Sequence, residues 1–309
     1  NVKIVAINEL GSIASSIHLL KYDSVHGILP TNIIETKKGI KVDSNNINFY
    51  SEKDPNNLPW KSLGVDLVLE CSGVFTSKDK AMAHINAGAK KVLISAPGTN
   101  VDKTVVQGVN NKEIKNKHNI ISNGSCTTNC LAPIAMVLDK GIGIESGFMT
   151  TIHSYTGDQR TVDQTHNDLR RSRAAAESMI PTSTGAAKAI SLVLPNLSGK
   201  LDGTAIRVPT PNVSLIDFTF VSKKKTNINE INSIVLKSTK LKSLNKILTV
   251  NQLPLVSKDF NHNASSSIFD TTQTQVIRNK FCRILSWYDN EWGFSNRMID
   301  TMLDLKKFI

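Results

Sequence analysis

Only four cysteines, Cys71, Cys126, Cys130 and Cys282, occur in 309 residues. They are too few and too scattered for a disulfide framework, and that scarcity agrees with a reducing compartment. No apolar run approaches the roughly 18 residues that a bilayer-spanning helix needs. The opening Asn1-Val2-Lys3-Ile4 has no basic-then-apolar leader. A cytoplasmic protein with no membrane partner is therefore expected. Cys126 and Cys130 stand one helical turn apart, but no second Cys/His pair has zinc spacing, so no metal is expected. Repeats, low-complexity tracts and Gly/Ser tethers are also missing. Any boundary between domains should then be a packed seam rather than a flexible linker.

Acidic residues are in deficit, with 26 Asp+Glu against 37 Lys+Arg and a formal charge of +11. A basic balance invites a nucleic-acid reading. Many of these lysines, however, are scattered among Asn and Ile, as in residues 112–117, and no basic-aromatic stripe accompanies them. Nucleic acid is not expected as a partner; an anionic small molecule needs far fewer positive charges. With 40% hydrophobic and 20% charged residues the chain has the composition of a folded protein, and its length suffices for two domains.

What is present begins with short β-branched apolar runs at 2–8 (VKIVAIN), 66–70, 91–95 and 119–122. Continuous runs of this kind suit parallel strands buried on both faces. Helical stretches are predicted at 78–87 and, shorter, at 110–117. Strands alternating with helices argue for an open α/β sheet, whose ligand lies at the carboxyl ends of its strands. Those ends carry Ser72-Gly73, Ser95-Ala96-Pro97-Gly98 and Asn123-Gly124-Ser125. Beyond residue 125 the pattern changes. Strand-like segments at 146–153, 204–208, 213–221 and 281–287 predict a mainly antiparallel sheet. Helices are expected at 186–194, 229–240 and 290–308, and a polar, Arg-rich stretch spans 155–181 and breaks at Pro181.

Two constellations carry chemistry. Ser122-Asn123-Gly124-Ser125-Cys126-Thr127-Thr128 reads as a strand turning sharply into a helix, with Cys126 at the helix N-terminus. Free backbone N–H groups and the positive end of the helix dipole favour a thiolate there, so a lowered thiol pKa is expected. The first-turn amides also suit an anion. Thr150-Thr151-Ile152-His153-Ser154-Tyr155-Thr156-Gly157-Asp158 places a histidine at a strand end. Paired with Cys126, it would deprotonate the thiol and later serve as acid or base. Arg170, Arg171, Arg173 and Arg207 add planar forks suited to phosphate.

Taken in order, the segments SNGSCTTNCLAP (122–133), TTIHSYTGDQ (150–159), DLRRSRAAAESMIPTSTGAAKAI (168–190), LDGTAIRVPTPNVS (201–214) and WYDNEWGFSNRM (287–298) resemble the phosphorylating glyceraldehyde-3-phosphate dehydrogenases. KYDSVHG (21–27) and ECSGVF (70–75) belong to the same pattern. The resemblance implies a Rossmann-like parallel sheet over 1–125, a catalytic α+β domain over 126–289, and a C-terminal helix, 290–309, packing back on the first domain. It also implies a homotetramer and NAD-dependent conversion of glyceraldehyde 3-phosphate and inorganic phosphate to 1,3-bisphosphoglycerate, a step of glycolysis and gluconeogenesis. Cys126 is then the nucleophile, by way of a thiohemiacetal and a thioester, and His153 the acid–base group. Thr156, Asp158 and Arg207 resemble the positions around the substrate phosphate. Ser125, Thr127, Arg171, Thr184 and Gly185 resemble those around the attacking phosphate. Glu9, Lys53, Ser72, Gly73, Ser95 and Asn290 are expected on the cofactor side, and Glu291 near the nicotinamide amide. Erythrose-4-phosphate dehydrogenase shares the Cys and His motifs and stands as an alternative.

The chain departs from the family pattern at its start. A dinucleotide fold needs a glycine-rich turn after its first strand and an acid about 20 positions later for the ribose. Glu9 supplies the acid at the end of VKIVAIN, which makes that run strand two and leaves strand one, its glycine turn and its helix unaccounted for. A rival register takes residues 9–14 as the turn, but would aim a carboxylate at the pyrophosphate. A sheet without its central strand has unpaired ladder groups on both neighbours, from which weakened NAD binding or a non-catalytic remnant would follow. Glu9 favours NAD over NADP, because a carboxylate accepts from a 2′-hydroxyl and repels a 2′-phosphate.

Overall fold

β-branched and aromatic residues pack well on a pleated surface, and the runs rich in them form most strands of the protein. The computed structural model describes residues 2–309. Its first part runs β1 (Ala6–Asn8), α1 (Ile13–Lys21), β2 (Tyr22–Asp23), β3 (Gly27–Ile28), β4 (Ile33–Thr36), β5 (Gly39–Val42), β6 (Asn45–Tyr50), α2 (Trp60–Leu63), β7 (Leu67–Glu70), α3 (Lys78–Asn86), β8 (Lys91–Ile94), β9 (Lys103–Thr104) and β10 (Ile120–Ser122). The second part runs α4 (Cys126–Ile142), β11 (Ile144–Ser154), β12 (Ile180–Ser183), α5 (Ala186–Val193), β13 (Leu201–Val208), β14 (Ser214–Ser222), α6 (Ile228–Ser238), β15 (Leu248–Asn251), β16 (Ser267–Ile277), β17 (Phe281–Tyr288) and α7 (Trp292–Leu305).

The first part carries two four-stranded sheets, β1-β6-β5-β4 and β7-β8-β10-β9. In the second all pairings are parallel, and β8 is buried along its whole length. Both sheets feed one apolar cluster, in which Val5 and Ala6 pack with Trp60, Val68, Ala81 and Ile94. Among the described residues β1 pairs only with β6, and β7 only with β8. Each therefore has an open edge, and Leu69 on β7 is 41% exposed. The expectation that VKIVAIN is buried on both faces is corrected accordingly. Its strand is confined to Ala6–Asn8, and Val2 and Ile4 are 54% and 60% exposed. A parallel strand is buried on both faces only where neighbours and helices cover it; α1 likewise has no buried residue.

The second part is a seven-stranded sheet in the order β12-β13-β11-β14-β17-β16-β15. Its pairings are antiparallel except β11 with β13 and β15 with β16. Helices α4, α5 and α6 bury Leu131, Leu138, Ile190 and Val235 against sheet residues such as Met149 and Phe218. Helix α7 returns to the parallel sheet, where Met298 and Leu305 pack with Leu93 and Ile121.

Two local expectations are corrected. The helix at 110–117 shrinks to a 3-10 turn at Asn111–Glu113. The Asn110 amide bonds the backbone at Val106 and Thr104 instead, competing with helix propagation as asparagine does. Pro181 does not break its segment but lies within β12, opposite Ile206. As the edge strand of the sheet, β12 tolerates a residue with no N–H to donate.

Gly203 on β13 lets the strand approach β11 closely, since a Cβ there would lie 2.5 Å from the Met149 carbonyl oxygen. Gly203→Ala should lower stability by about 1–3 kcal/mol, read as a lower denaturant midpoint at unchanged slope. An unchanged midpoint would contradict this packing.

Candidate active site

Strand β10 ends at Ser122, and Gly124 turns the chain at φ +65° into α4. Ser125 is extended and caps the helix, its Oγ accepting from the Thr128 N–H at 3.0 Å. Cys126 is thus the first helical residue, beside amides that no preceding turn can satisfy. Opposite it, His153 sits at the end of β11, only 3% exposed. Its Nε2 lies 3.4 Å from the Cys126 Sγ. Its Nδ1 is 2.7 Å from the Ser154 carbonyl oxygen, which assigns the proton to Nδ1 and turns the Nε2 lone pair toward the thiol.

Arg207 is the register partner of His153 on the neighbouring parallel strand β13. Its Nη1 donates to the Ser154 oxygen at 3.0 Å and lies 2.9 Å from His153 Nδ1, while its buried Nε has no partner. Burial first, then Arg207, pushes the imidazole pKa down to about 3. The expected lowering of the Cys126 pKa is corrected. Burial pushes the thiol up, and Arg207, the Thr127 hydroxyl and the backbone amides pull it down without overcoming that desolvation. The resting pair is therefore a neutral thiol facing a neutral imidazole, with Nε2 placed to accept the thiol proton once attack on an electrophile acidifies it.

Three further groups complete this core, and they escaped the sequence. Tyr288, buried, places its Oη 2.8 Å from Thr127 Oγ1 and 2.9 Å from Thr151 Oγ1, with its ring edge-on to His153. The Thr127 side chain is consequently buried between the thiol and Tyr288 rather than standing open beside Ser125. Ser154 and Ser214 both donate to the Asn290 Oδ1, at 2.8 and 2.9 Å, which fixes Asn290 next to the histidine strand. The WYDN run was a signal for Tyr288; nothing local marked the two serines.

The polar loop after β11 brings together residues expected at two different phosphates. Arg171 Nη1 lies 2.5 Å from Asp158 Oδ2, its Nε donates to Thr182 Oγ1 at 2.9 Å, and its Nη2 donates to the Ser183 carbonyl. Burial opposes charge on Asp158, yet Arg171 and then His166 hold its carboxyl below the usual range. Thr156 donates its N–H and hydroxyl to Gln159 Oε1. Thr184 Oγ1 accepts from the Ala186 N–H, and Gly185, just before α5, has no atom within 4 Å of where a Cβ would stand.

The remaining positions lie at the carboxyl ends of parallel strands. Glu9 follows β1 and accepts from the Gly11 N–H at 3.1 Å. Lys53 follows β6, and the two ends are tied by reciprocal bonds between the Asn8 side chain and the Glu52 backbone. Ser72 and Gly73 follow β7, Gly73 at φ +74° with open space around it. Ser95 follows β8, its N–H donating to the Glu70 carbonyl. An exposed carboxylate, an open glycine turn and serine hydroxyls fit a nucleotide's ribose and phosphates. Glu291, in contrast, turns away to His26, at 2.9 Å.

The family model described as "Glyceraldehyde 3-phosphate dehydrogenase, C-terminal domain" matches residues 125–290, and the one described as "Glyceraldehyde 3-phosphate dehydrogenase, NAD binding domain" matches residues 1–78. The chain belongs to the glyceraldehyde-3-phosphate dehydrogenase family. The protein of that name from Xanthobacter flavus is 55% identical over 99% of this chain and 91% of its own length. Those of Zymomonas mobilis and Pseudomonas aeruginosa are each 52% identical, over 99% and 98% of this chain and 91% and 90% of their own lengths. Membership makes the protein an NAD-dependent oxidoreductase acting on an aldehyde group. Among the described residues no helix is long and apolar enough to cross a membrane.

The depressed histidine has a consequence for stability. Unfolded, His153 takes its proton near pH 6.5; folded, it resists until about 3. The unfolded state therefore binds more protons between those values, and stability should fall as pH drops through them. Denaturant midpoints measured from about pH 7 down to about pH 4 should decline less steeply in His153→Asn. Parallel slopes in the two proteins would contradict the assignment.

Proposed function

We propose that the protein oxidises glyceraldehyde 3-phosphate with NAD and inorganic phosphate to 1,3-bisphosphoglycerate through a covalent thioester at Cys126. The observation that carries this reading is the 3.4 Å approach of Cys126 Sγ to His153 Nε2 beside a half-buried Arg207 whose buried Nε is unpartnered. Sulfur attacks the aldehyde carbon while Nε2 takes the thiol proton and passes it to the carbonyl oxygen, giving a hemithioacetal. Neutral again, Nε2 takes the hydroxyl proton as the C–H bond breaks. NAD, when bound, accepts the hydride. Phosphate then attacks the thioester carbon, the C–S bond breaks, the departing sulfur takes the proton back from Nε2, and the acyl phosphate leaves. Fixed amides at the start of α4 favour the oxyanions formed on the way.

In this reading Arg207, Thr156 and Asp158 hold the substrate phosphate, and Asp158 is tolerable there because Arg171 neutralises it. Ser125, Thr127, Arg171, Thr184 and Gly185 surround the attacking phosphate, Thr127 through its backbone more than its buried hydroxyl. Glu9, Lys53, Ser72, Gly73, Ser95 and Asn290 face NAD, the last orienting the nicotinamide. We divide the chain into a cofactor domain (1–125), a catalytic domain (126–289) and a returning tail (290–309), and place the protein in the cytoplasm. Val162, Leu169 and Met179 in the Arg-rich loop are 68%, 81% and 76% exposed. Large apolar side chains so exposed call for a covering surface, which supports the homotetramer of this reading.

Purified protein given glyceraldehyde 3-phosphate, NAD and phosphate should produce NADH, followed by absorbance. Cys126→Ser should abolish turnover, and His153→Asn should lower kcat by about 10²–10⁴. Undiminished turnover in Cys126→Ser would remove the proposal.

A further inference from the structure

A buried relay of polar side chains runs through the apolar core of the first domain and ends at the Ser72–Gly73 turn. Trp60, His84 and Glu70 are each about 5% exposed or less. The Trp60 indole can only donate, and its Nε1 does so to His84 Nδ1 at 3.1 Å. That fixes the histidine proton on Nε2, which donates to Glu70 Oε2 at 2.9 Å. The other carboxylate oxygen, Oε1, accepts both the Ser72 N–H, at 2.8 Å, and the Ser72 hydroxyl. The Ser72 Oγ in turn accepts the Val74 N–H at 3.1 Å. Every neighbour of Glu70 donates, so the site is built for a carboxylate and for nothing that carries a hydrogen.

Stability alone is a poor reason for this arrangement. A buried ionised group costs several kcal/mol in desolvation, and a well-packed apolar replacement is often neutral or better. Burial does oppose the charge here, but the bonds from His84 and Ser72 hold the Glu70 carboxyl below its ordinary range. The relay's outer end is the only part that leaves the core. There it holds the two amides on either side of Gly73, the residue whose positive φ turns the chain at the strand end.

We propose that Glu70 is a positioning residue for the cofactor, its carboxylate locked from within by Trp60 and His84 and from without fixing the Ser72–Gly73 turn that receives NAD. This rests on the reading that places that turn at the cofactor. Glu70 touches no reacting atom and acts through Ser72.

The test is Glu70→Gln. Its amide N–H₂ must face either the His84 donor or the Ser72 donors, and Trp60 bars His84 from switching tautomer. Kd for NAD, measured by calorimetry, should rise about tenfold, while KM for glyceraldehyde 3-phosphate and kcat at saturating NAD stay within about twofold. Amide exchange at Ser72 and Val74 in the ligand-free protein should quicken, a readout that needs no cofactor. Adding Trp60→Phe frees the tautomer and should recover at least about threefold of the lost affinity. A lower melting temperature with unchanged Kd would overturn the inference and leave Glu70 a structural residue. Gly73→Val tests the underlying reading: if it leaves Kd unchanged, the turn does not hold NAD. If it weakens NAD while Glu70→Gln does not, only the positioning role fails. Should Glu70→Gln not fold, His84→Leu should weaken NAD and His84→Gln, which keeps a donor, should restore it; equal Kd values in both would overturn the inference.

Discussion

His153 and Arg207 occupy the same register position on two neighbouring parallel strands, so a buried ring and a guanidinium are held side by side by the backbone of the sheet. Burial first, and then the charge of Arg207, denies the imidazole a proton, and the Ser154 carbonyl takes hydrogen bonds from both side chains. This enforced neutrality decides the character of the site. A protonated imidazole would have stabilised a resting thiolate; a neutral one with its lone pair on sulfur acts only when a proton has to move. In the proposed reaction, catalytic power then lies in proton transfer timed to attack on a carbonyl.

The surrounding polar groups serve the same end by different routes. Tyr288 fills the space behind the pair and spends its hydroxyl on two threonines. Arg171 and Asp158 neutralise each other, which in the proposed reading allows an acid to stand among groups that bind anions. On the cofactor side Glu70 repeats the logic at larger scale. A charge taken deep into a core is compensated completely by donors, and its position is thereby transmitted to the one turn that it touches.

Much of this was legible in the chain. Strong period-two and β-branched runs become strands because their pattern and their tertiary environment agree, as at 91–94 and 214–222. The Ser125-Cys126 junction was readable because a serine cap and a glycine turn are local devices. Where tertiary context rules, local reading fails. VKIVAIN has the composition of a buried strand but lacks neighbours on one side. Pro181 is a breaker everywhere except at a sheet edge, and Asn110 spends its amide on backbone that only the folded loop brings near.

The residues themselves determined which chemistry is possible: a thiol, an imidazole and paired arginines, each with its fixed donors and acceptors, together with the strand ends that carry them. The tertiary structure decided their charge. A helix N-terminus read in isolation calls for a thiolate at Cys126, yet the same residue enclosed by β11, β13 and Tyr288 is a thiol, because desolvation depends on what surrounds a group in space and leaves no trace in the order of residues along the chain.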